Sequence, residues 1–276
     1  MDTQELPWNF EAFRKFITFK AAQNAASIIS LFDGENLVND AKKLSEFQKL
    51  LSKRSGLVWE PVRQNSKDVM FSSEGNVFRN KARVLSSLYL LNPFALKTEG
   101  KIEATKFSKL LASGKINEKQ FFEFIITHYE YPHAAYDENW AAWTKMGLKL
   151  KPFVFILQIL IELFDKDQDQ AYLTVDEFAR FAHSNPRHEK VKSIANEILE
   201  FRRDSSKSPS RKRSDKIDRK INDIFGFLCI SGLTYYDGSR IRLNLIGRDP
   251  EEGAFFYLSR NGANIVEALR KLLEGS

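Results

Sequence analysis

Acidic and basic side chains at a nuclease-like spacing are the first residues with potential chemistry. Glu99-Gly100-Lys101 has the Glu-x-Lys form that, with an upstream aspartate such as Asp68, could hold Mg²⁺ and a water for hydrolysis. However, Glu99-Gly100 is also typical of a tight turn between two short strands, where a rigid metal site is not expected. The turn explains these residues better, so we predict no catalytic residue in the chain.

A second acidic cluster resembles the start of a calcium-binding loop. Three aspartates alternate within Asp165–Asp169, and Glu177 is the candidate closing ligand. Gln170 stands where such a loop needs glycine, and Glu177 falls at the thirteenth position instead of the twelfth. Glu177 also follows Thr174 at the spacing of a helix capping box. We therefore predict a solvated acidic loop and no metal site.

Other common kinds of site lack their residues. The chain has one cysteine, Cys229, which cannot form an internal disulfide, and no cysteine pair accompanies the four histidines to bind zinc. The glycine patterns of a P-loop and of a dinucleotide-binding turn are missing, as is the nucleophile elbow of a hydrolase. The histidines are His128, His133, His183 and His188.

Cations are the candidates that remain. The net charge is +6, and nine cations within 202–220 face only three acids, which favours a polyanionic partner such as the phosphate backbone of DNA. A solvated charged surface is the alternative for each residue taken singly. The predicted DNA-binding residues are Arg79, Asn80, Lys81, Arg83, Arg202, Arg203, Lys207, Arg211, Lys212, Arg213, Lys216, Arg219, Lys220, Asn222, Arg240 and Arg242.

Reading of bases requires planar hydrogen-bonding groups, so arginine facing guanine and asparagine facing adenine are the best candidates. Within the predicted set, these are Asn80, Arg83, Arg219 and Asn222. Tyr136, Trp140 and Trp143 could stack on bases, but their spacing favours packing of a connector against a core.

The elements that must position these cations are helices and one clear hairpin. Asp237-Gly238 is a strong turn signal, and Arg240, Arg242 and Asn244 alternate with apolar residues after it. The helix before this hairpin is predicted over 215–230. Apolar periodicity predicts further helices over 9–32 (capped by Asn9), 39–53, 117–129 and 189–201, together with a buried helix that starts near Pro152.

The two halves of the chain repeat one order of elements: a cation-bearing helix, a hairpin and a capped helix. This is the plan of a winged helix, a relative of the helix-turn-helix motif. We therefore predict a mainly α protein with small β-hairpins, built from tandem winged-helix units in domains 1–135 and 136–276, with a basic loop at 202–215. The matching segments are 78–91, 94–104 and 105–112 in the first half, and 215–230, 233–245 and 259–273 in the second.

The predicted cellular location rests on two features of secreted and membrane proteins that the sequence lacks. The start, MDTQELPWNF, lacks the basic and apolar regions of a signal peptide, and the longest apolar run, Phe153–Phe164, is too short to span a bilayer. We predict a cytoplasmic protein with no membrane partner.

Two segments resemble a known family. LKPFVFILQILIELFDKDQDQAYLTVDEFARFAH, from Leu150, and LNPFALKTEGKIEATKFSKLLASG, from Leu91, are similar to the DNA-recognition region of AlwI-type type IIS restriction and nicking endonucleases. The resemblance implies winged-helix recognition subdomains that wrap DNA. It also implies a separate C-terminal PD-(D/E)xK nuclease domain, with Mg²⁺ as its cofactor; we expect that domain to lie beyond Ser276 or on a partner subunit.

The predicted function is sequence-specific binding of double-stranded DNA, as the recognition module or subunit of a restriction endonuclease or related defence system, with no cofactor in this chain. Two alternatives stay open. The chain could be a complete small Mg²⁺-dependent endonuclease, or a non-catalytic regulator whose winged helices contact protein.

Overall fold

The structure is a computed structural model in which we describe residues 8–10, 18–37, 39–55, 81–204, 206, 214–245 and 262–274. Several residues named in the sequence predictions lie outside these ranges: Asp68, Arg79, Asn80, Lys207 and Arg211–Arg213. The side chains of Lys81, 137–139 and 262–265 are likewise not described.

The chain forms two compact units. One, the helical unit, falls within residues 11–121 and 134–136; the other, the sheet unit, falls within 1–10, 122–133 and 137–276. Whether 1–135 and 136–276 fold as independent domains stays a prediction. The helices are α1 (Phe19–Leu31), α2 (Ala41–Ser55), α3 (Lys81–Ser87), α4 (Pro93–Glu99), α5 (Lys106–Ala112), α6 (Glu118–His128), α7 (Asp137–Lys145), α8 (Pro152–Lys166), α9 (Val175–Glu177, continued by a π-helical turn Phe178–Ala182), α10 (Val191–Arg203), α11 (Asp215–Ile230) and α12 (Gly262–Glu274).

In the helical unit, α1 packs against α2 and α5. The helix begins at Phe19, because the Thr18 side chain accepts a hydrogen bond from the backbone N–H of Ala21. The predicted start at Asn9 is wrong: residues 8–10 are not helical and belong to the sheet unit. Thr105 caps α5 as predicted, through a bond from the N–H of Ser108.

The hairpin predicted over 94–104 is wrong. Pro93–Glu99 is helix α4, with Asn92 accepting a bond from the Phe94 N–H and proline in the first turn, where its missing N–H has no helical partner to lose. Gly100 ends the helix in the left-handed conformation, at φ 68°. The glycine that suggested a strand turn is therefore a helix C-cap.

The core of the sheet unit is apolar and rich in rings. Helix α8 buries residues on all sides, as its composition predicts, including Phe153 and Phe155. Trp8 is fully buried and lies edge-on to Trp143 and Phe178, with ring centroids 6.0 and 5.3 Å away. Rings in this geometry stabilise a core beyond their burial alone.

Three short strands form the antiparallel sheet: β1 (Tyr172–Thr174), β2 (Thr234–Asp237) and β3 (Arg240–Leu243), in the order β1-β3-β2. The predicted hairpin is confirmed, with Gly238 in the left-handed conformation at φ 61°. Ile241 and Leu243 of β3 are buried, so Arg240 and Arg242 lie on the other face of the sheet. The predicted helix 215–230 is confirmed at both ends by α11.

Among the described residues, no helix is long and apolar enough to cross a membrane.

Candidate nucleic-acid interface

Tyr172 is the centre of a cluster of arginines on the outer face of the sheet. The guanidinium carbons of Arg202, Arg240 and Arg242 lie 3.7, 4.3 and 5.0 Å from the centroid of its ring. All three distances fall inside the ~6 Å range of a cation–π interaction. The pairing of strands explains two of them, because Tyr172 is directly opposite Arg242 in the register and Arg240 lies two residues away.

Arg202 is the anchored member of this cluster. Its Nε donates to Oε1 of Glu177 at 2.6 Å, and its two terminal nitrogens donate to the backbone oxygens of Gln170 and Tyr172 at 2.6 and 2.7 Å. The Arg202 side chain is 10% exposed and that of Glu177 is 6% exposed. The predicted contact between Arg202 and DNA does not fit this geometry, because its donors are occupied by the protein.

The carboxylate of Glu177 takes part in both a helix capping box and the ion pair with Arg202. Its Oε2 accepts from the backbone N–H of Thr174 at 2.9 Å, while the Thr174 hydroxyl accepts from the N–H of Glu177 at 3.1 Å. This is the capping box predicted from the sequence. Because the same carboxylate also binds Arg202, the start of α9 is tied to the end of α10.

Arg242 and Arg240 differ in how far hydrogen bonds within the protein occupy their side chains. The Nε of Arg242 donates to Oδ2 of Asp237 at 2.9 Å, and one terminal nitrogen donates to the backbone oxygen of Asp169. Arg240 is exposed and, within the part of the chain that the structure describes, forms no salt bridge. Its guanidinium group lies over the ring of Tyr172.

The cations of α11 and of the end of α10 are on solvent-facing positions. Lys216, Arg219 and Arg203 are exposed, and Lys220 is half-buried, whereas Ile221 and Ile224 of α11 point into the core. Two acids, Asp215 and Asp218, lie in the first turn of α11 and reduce the positive charge at that end. Asn222 donates from Nδ2 to the backbone oxygen of Asp218, so part of its hydrogen-bonding capacity is used within the helix.

In the helical unit, Arg83 is the one predicted DNA-binding residue whose side chain is described. It is half-buried, with its guanidinium carbon 5.7 Å from the ring centroid of Tyr136. The Tyr136 hydroxyl bonds to that of Ser87 at 2.8 Å. Contact of Arg83 with a base stays a prediction, as it does for the exposed cations of the sheet unit.

The aromatic residues considered for stacking separate into two groups. Tyr136 and Trp143 are fully buried, which confirms packing, but Trp140 is 46% exposed.

The acidic loop has local structural roles. Asp167 accepts from the backbone N–H groups of Asp169 and Gln170, and Asp165 forms an ion pair with Arg270. Within the described ranges, no three His, Cys, Asp or Glu side chains come close enough together to hold a metal ion. Glu99 and Lys101 form an exposed ion pair at 2.8 Å at the end of α4.

The sequence predictions did not include a role for Tyr172, nor the binding of Arg202 by Glu177 in addition to its capping box. Tyr172 had a detectable signal, since it lies two residues before the capping-box threonine, in a segment with strand-forming residues. The signal did not reveal that the partner strand is β3, which follows about seventy residues later.

The comparisons with known proteins bear on the whole chain. Residues 83–250 match the family described as "Restriction endonuclease BpuJI - N terminal". The chain belongs to this family. Its fold is also similar to that in a "Crystal structure of pyrene- and phenanthrene-modified DNA in complex with the BpuJ1 endonuclease binding domain", with a TM-score of 0.56, 14% sequence identity, and coverage of 91% of this chain and 89% of that chain. No curated protein matches the sequence.

The BpuJI N-terminal family confirms the restriction-enzyme part of the predicted relationship. The match lies across α3 to α11 and the β2–β3 hairpin, so it includes Tyr172, Arg202, Arg240 and Arg242. The arginine cluster thus lies within the matched residues.

Proposed function

We propose that the chain recognises double-stranded DNA for a restriction endonuclease, and that the outer face of β3 is a principal contact with the DNA backbone. Membership of the BpuJI N-terminal family carries the first statement, and the solved relative is a binding domain in complex with DNA. The arginine cluster around Tyr172 supports the second.

Phosphate is the group that suits Arg240 best. Arginine presents a planar fork of donors that matches phosphate oxygens, and most contacts of DNA-binding proteins with the backbone use such side chains. Arg240 is exposed and forms no salt bridge with a described residue, so binding a phosphate would not require breaking one. Arg242 would first have to share its bond to Asp237, so we assign it the weaker contact.

Exposed cations on neighbouring helices extend this surface in the proposal. Lys216 and Arg219 of α11 and Arg203 of α10 would add backbone contacts, and Arg219 is the best-exposed candidate for a base edge. The acids in the first turn of α11 weaken its attraction for phosphate, so the helix contributes less to affinity than the hairpin does.

The finer classification is also a proposal. In the sheet unit, strand β1 is followed by helices and then by the β2–β3 hairpin, which pairs with β1 in one sheet. This order of elements suits a winged helix. The segments from Leu91 and Leu150 support an AlwI-type relationship on their sequence pattern. We propose with it that a Mg²⁺-dependent nuclease lies on another segment or subunit, and that the protein is cytoplasmic as its sequence predicts.

Salt-dependent binding to DNA tests the interface. Fluorescence anisotropy with a labelled duplex, repeated from about 50 to 200 mM salt, should give a log–log slope that becomes shallower by about 0.9 for each phosphate contact removed. We expect Arg240→Ala with Arg242→Ala to weaken binding about tenfold or more and to lower the slope by one to two contacts.

Lys101→Ala with Lys106→Ala is the matched control, because it also removes two exposed cations, but from the end of α4 and the start of α5 in the helical unit. It should leave both affinity and slope close to those of the parent protein. Equal effects of the two changes would mean that only total charge matters, and an unchanged affinity for the Arg240/Arg242 variant would overturn the proposed interface.

A further inference from the structure

Three side chains form a connected support beneath the exposed Arg240. Glu177, fixed by the capping box at the start of α9, binds Arg202; Arg202 lies 3.7 Å from the ring centroid of Tyr172. Tyr172 in turn contacts Arg240 and Arg242. The support is therefore continuous from a buried carboxylate to the exposed guanidinium groups.

Burial decreases along this support from Glu177 to Arg240. Glu177 and Arg202 are largely buried, Tyr172 is half-buried and Arg240 is exposed. The backbone oxygen of Tyr172 also accepts a bond from Arg202, so the ring and its backbone are held by the same side chain. The buried groups thus hold Tyr172 in place, and the exposed Arg240 is the side chain available to a ligand.

We propose that Tyr172 is a positioning residue for DNA binding: its ring, held by Arg202, orients Arg240 and Arg242 toward the phosphate backbone. This inference rests on the proposed function of the β3 face. An arginine side chain loses rotamer freedom when it binds a phosphate, and a stacked side chain has less freedom left to lose. Tyr172 raises affinity in this way without touching DNA.

Charge balance supports the same role. The cluster holds three guanidinium groups, and its carboxylates are directed to two of them: Glu177 to Arg202 and Asp237 to Arg242. For Arg240, the electron-rich face of Tyr172 is the contact that attracts the cation while leaving its hydrogen-bond donors open. A carboxylate in the same place would orient Arg240 but would compete with phosphate.

A double-mutant cycle tests the inference. Tyr172→Leu should weaken binding to the labelled duplex about 2- to 5-fold, the range of an exposed cation–π contact. In the Arg240→Ala/Arg242→Ala background, the same change should have no further effect, because the groups that Tyr172 orients are gone. Tyr172→Phe, which keeps the ring, should bind within about twofold of the parent protein.

The salt slope separates positioning from general support of the fold. Tyr172→Leu should make the slope shallower in the parent background only, whereas a purely structural defect would weaken binding equally in both backgrounds. Equal weakening in both backgrounds, or full affinity for a folded Tyr172→Leu protein, would overturn the positioning role. If Arg240→Ala/Arg242→Ala itself binds normally, the proposed interface fails, which is a distinct result.

A measurement without substitution at Tyr172 guards against misfolding of the leucine variant. In NMR spectra of the parent protein, the Nε–Hε group of Arg240 should show the ordered relaxation of a restrained side chain, unlike that of the exposed Arg203. The Arg240 side-chain protons should also be shifted upfield by the ring. Fast, unrestrained motion of the Arg240 group would overturn the proposal.

Discussion

Gly100 and Gly238 adopt nearly the same backbone conformation in two regions that fold differently. Their φ angles are 68° and 61°, and each follows an acidic residue. Yet Gly100 ends a helix, whereas Gly238 turns one strand into the next. Glycine thus permits the left-handed conformation in both places, and the flanking residues decide which element it serves.

The flanking residues differ in two ways. Before Gly100, Asn92 and Pro93 supply a cap and a helix start, and this outweighs the short apolar run that suggested a strand. Around Gly238, Tyr235 and Tyr236 favour a strand, and the alternation in β3 lets one face be buried. Among the described residues, the second region pairs with a neighbouring strand, β1, in a sheet, whereas Lys101 beside Gly100 forms an isolated bridge with Asn36.

Two ion pairs, a buried one in the sheet unit and an exposed one in the helical unit, should show the largest contrast. Removing the buried partner in Arg202→Met leaves Glu177 buried without its cation, so the free energy of unfolding should fall by about 3–5 kcal/mol. Lys101→Met breaks only the exposed pair with Glu99 and should leave stability within experimental error. Urea denaturation of both variants checks this, and a similar loss in each would contradict the contrast.

Substituting the glycines should cost about 1–2 kcal/mol in each region, since alanine is strained in the left-handed conformation. A Cβ at Gly238 meets no described atom within 4 Å, so its cost is purely conformational. Gly238→Ala should also weaken DNA binding, because it distorts the turn next to Arg240, whereas Gly100→Ala should not. Asparagine, which tolerates this conformation, should recover part of the loss at both sites.

The cap before Gly100 tests why that region is helical. Asn92→Ala removes the side-chain acceptor for the Phe94 N–H and should lower stability by about 1 kcal/mol. Asn92→Asp keeps an acceptor and should be close to neutral. Thermal unfolding measures the difference; an alanine variant as stable as the parent would mean that the proline and Gly100 alone define α4.

Acid pH should affect the two units unequally, because the half-buried His188 lies in the sheet unit. Burial lowers the pKa of His188 from its ordinary 6.5, with opposing influences from Glu189, which raises it, and Lys151, which lowers it. The unfolded chain therefore takes up a proton below pH 6.5 that folded His188 resists, so stability falls as the pH decreases through that range.

Hydrogen exchange at pH 7.5 and 5.5 can measure this effect by unit. Protection in the sheet unit should fall at the lower pH more than that in the helical unit. His188→Gln should reduce the difference, since the pH response of this residue is removed. A sheet unit as well protected at pH 5.5 as at 7.5 would contradict the prediction.

Sequence reasoning succeeded where short-range rules dominate. The bounds of α11, the Thr174–Glu177 capping box and the Asp237-Gly238 turn each depend on residues within a few positions of one another. It failed at α4, where two local signals competed, and at Arg202, whose burial depends on Glu177, twenty-five residues earlier. A run of cations in the sequence does not show which of them will form ion pairs inside the fold.

The environment of the single cysteine also depends on how the chain folds. Cys229 lies in α11 as predicted, but its environment raises the thiol pKa to about 11, chiefly through burial. The thiolate is therefore scarce at neutral pH.

The central position of β3 has a consequence for how the protein is made. Strand β1 emerges from the ribosome well before β3, and β2 cannot take its place, because β3 lies between them. At about 5–20 residues per second, β1 waits on the order of seconds for its partner. During synthesis, Tyr172–Thr174 therefore lacks its partner strand until Leu243 has been added, whereas Glu177 and Arg202, which form a buried ion pair, are both made before β3.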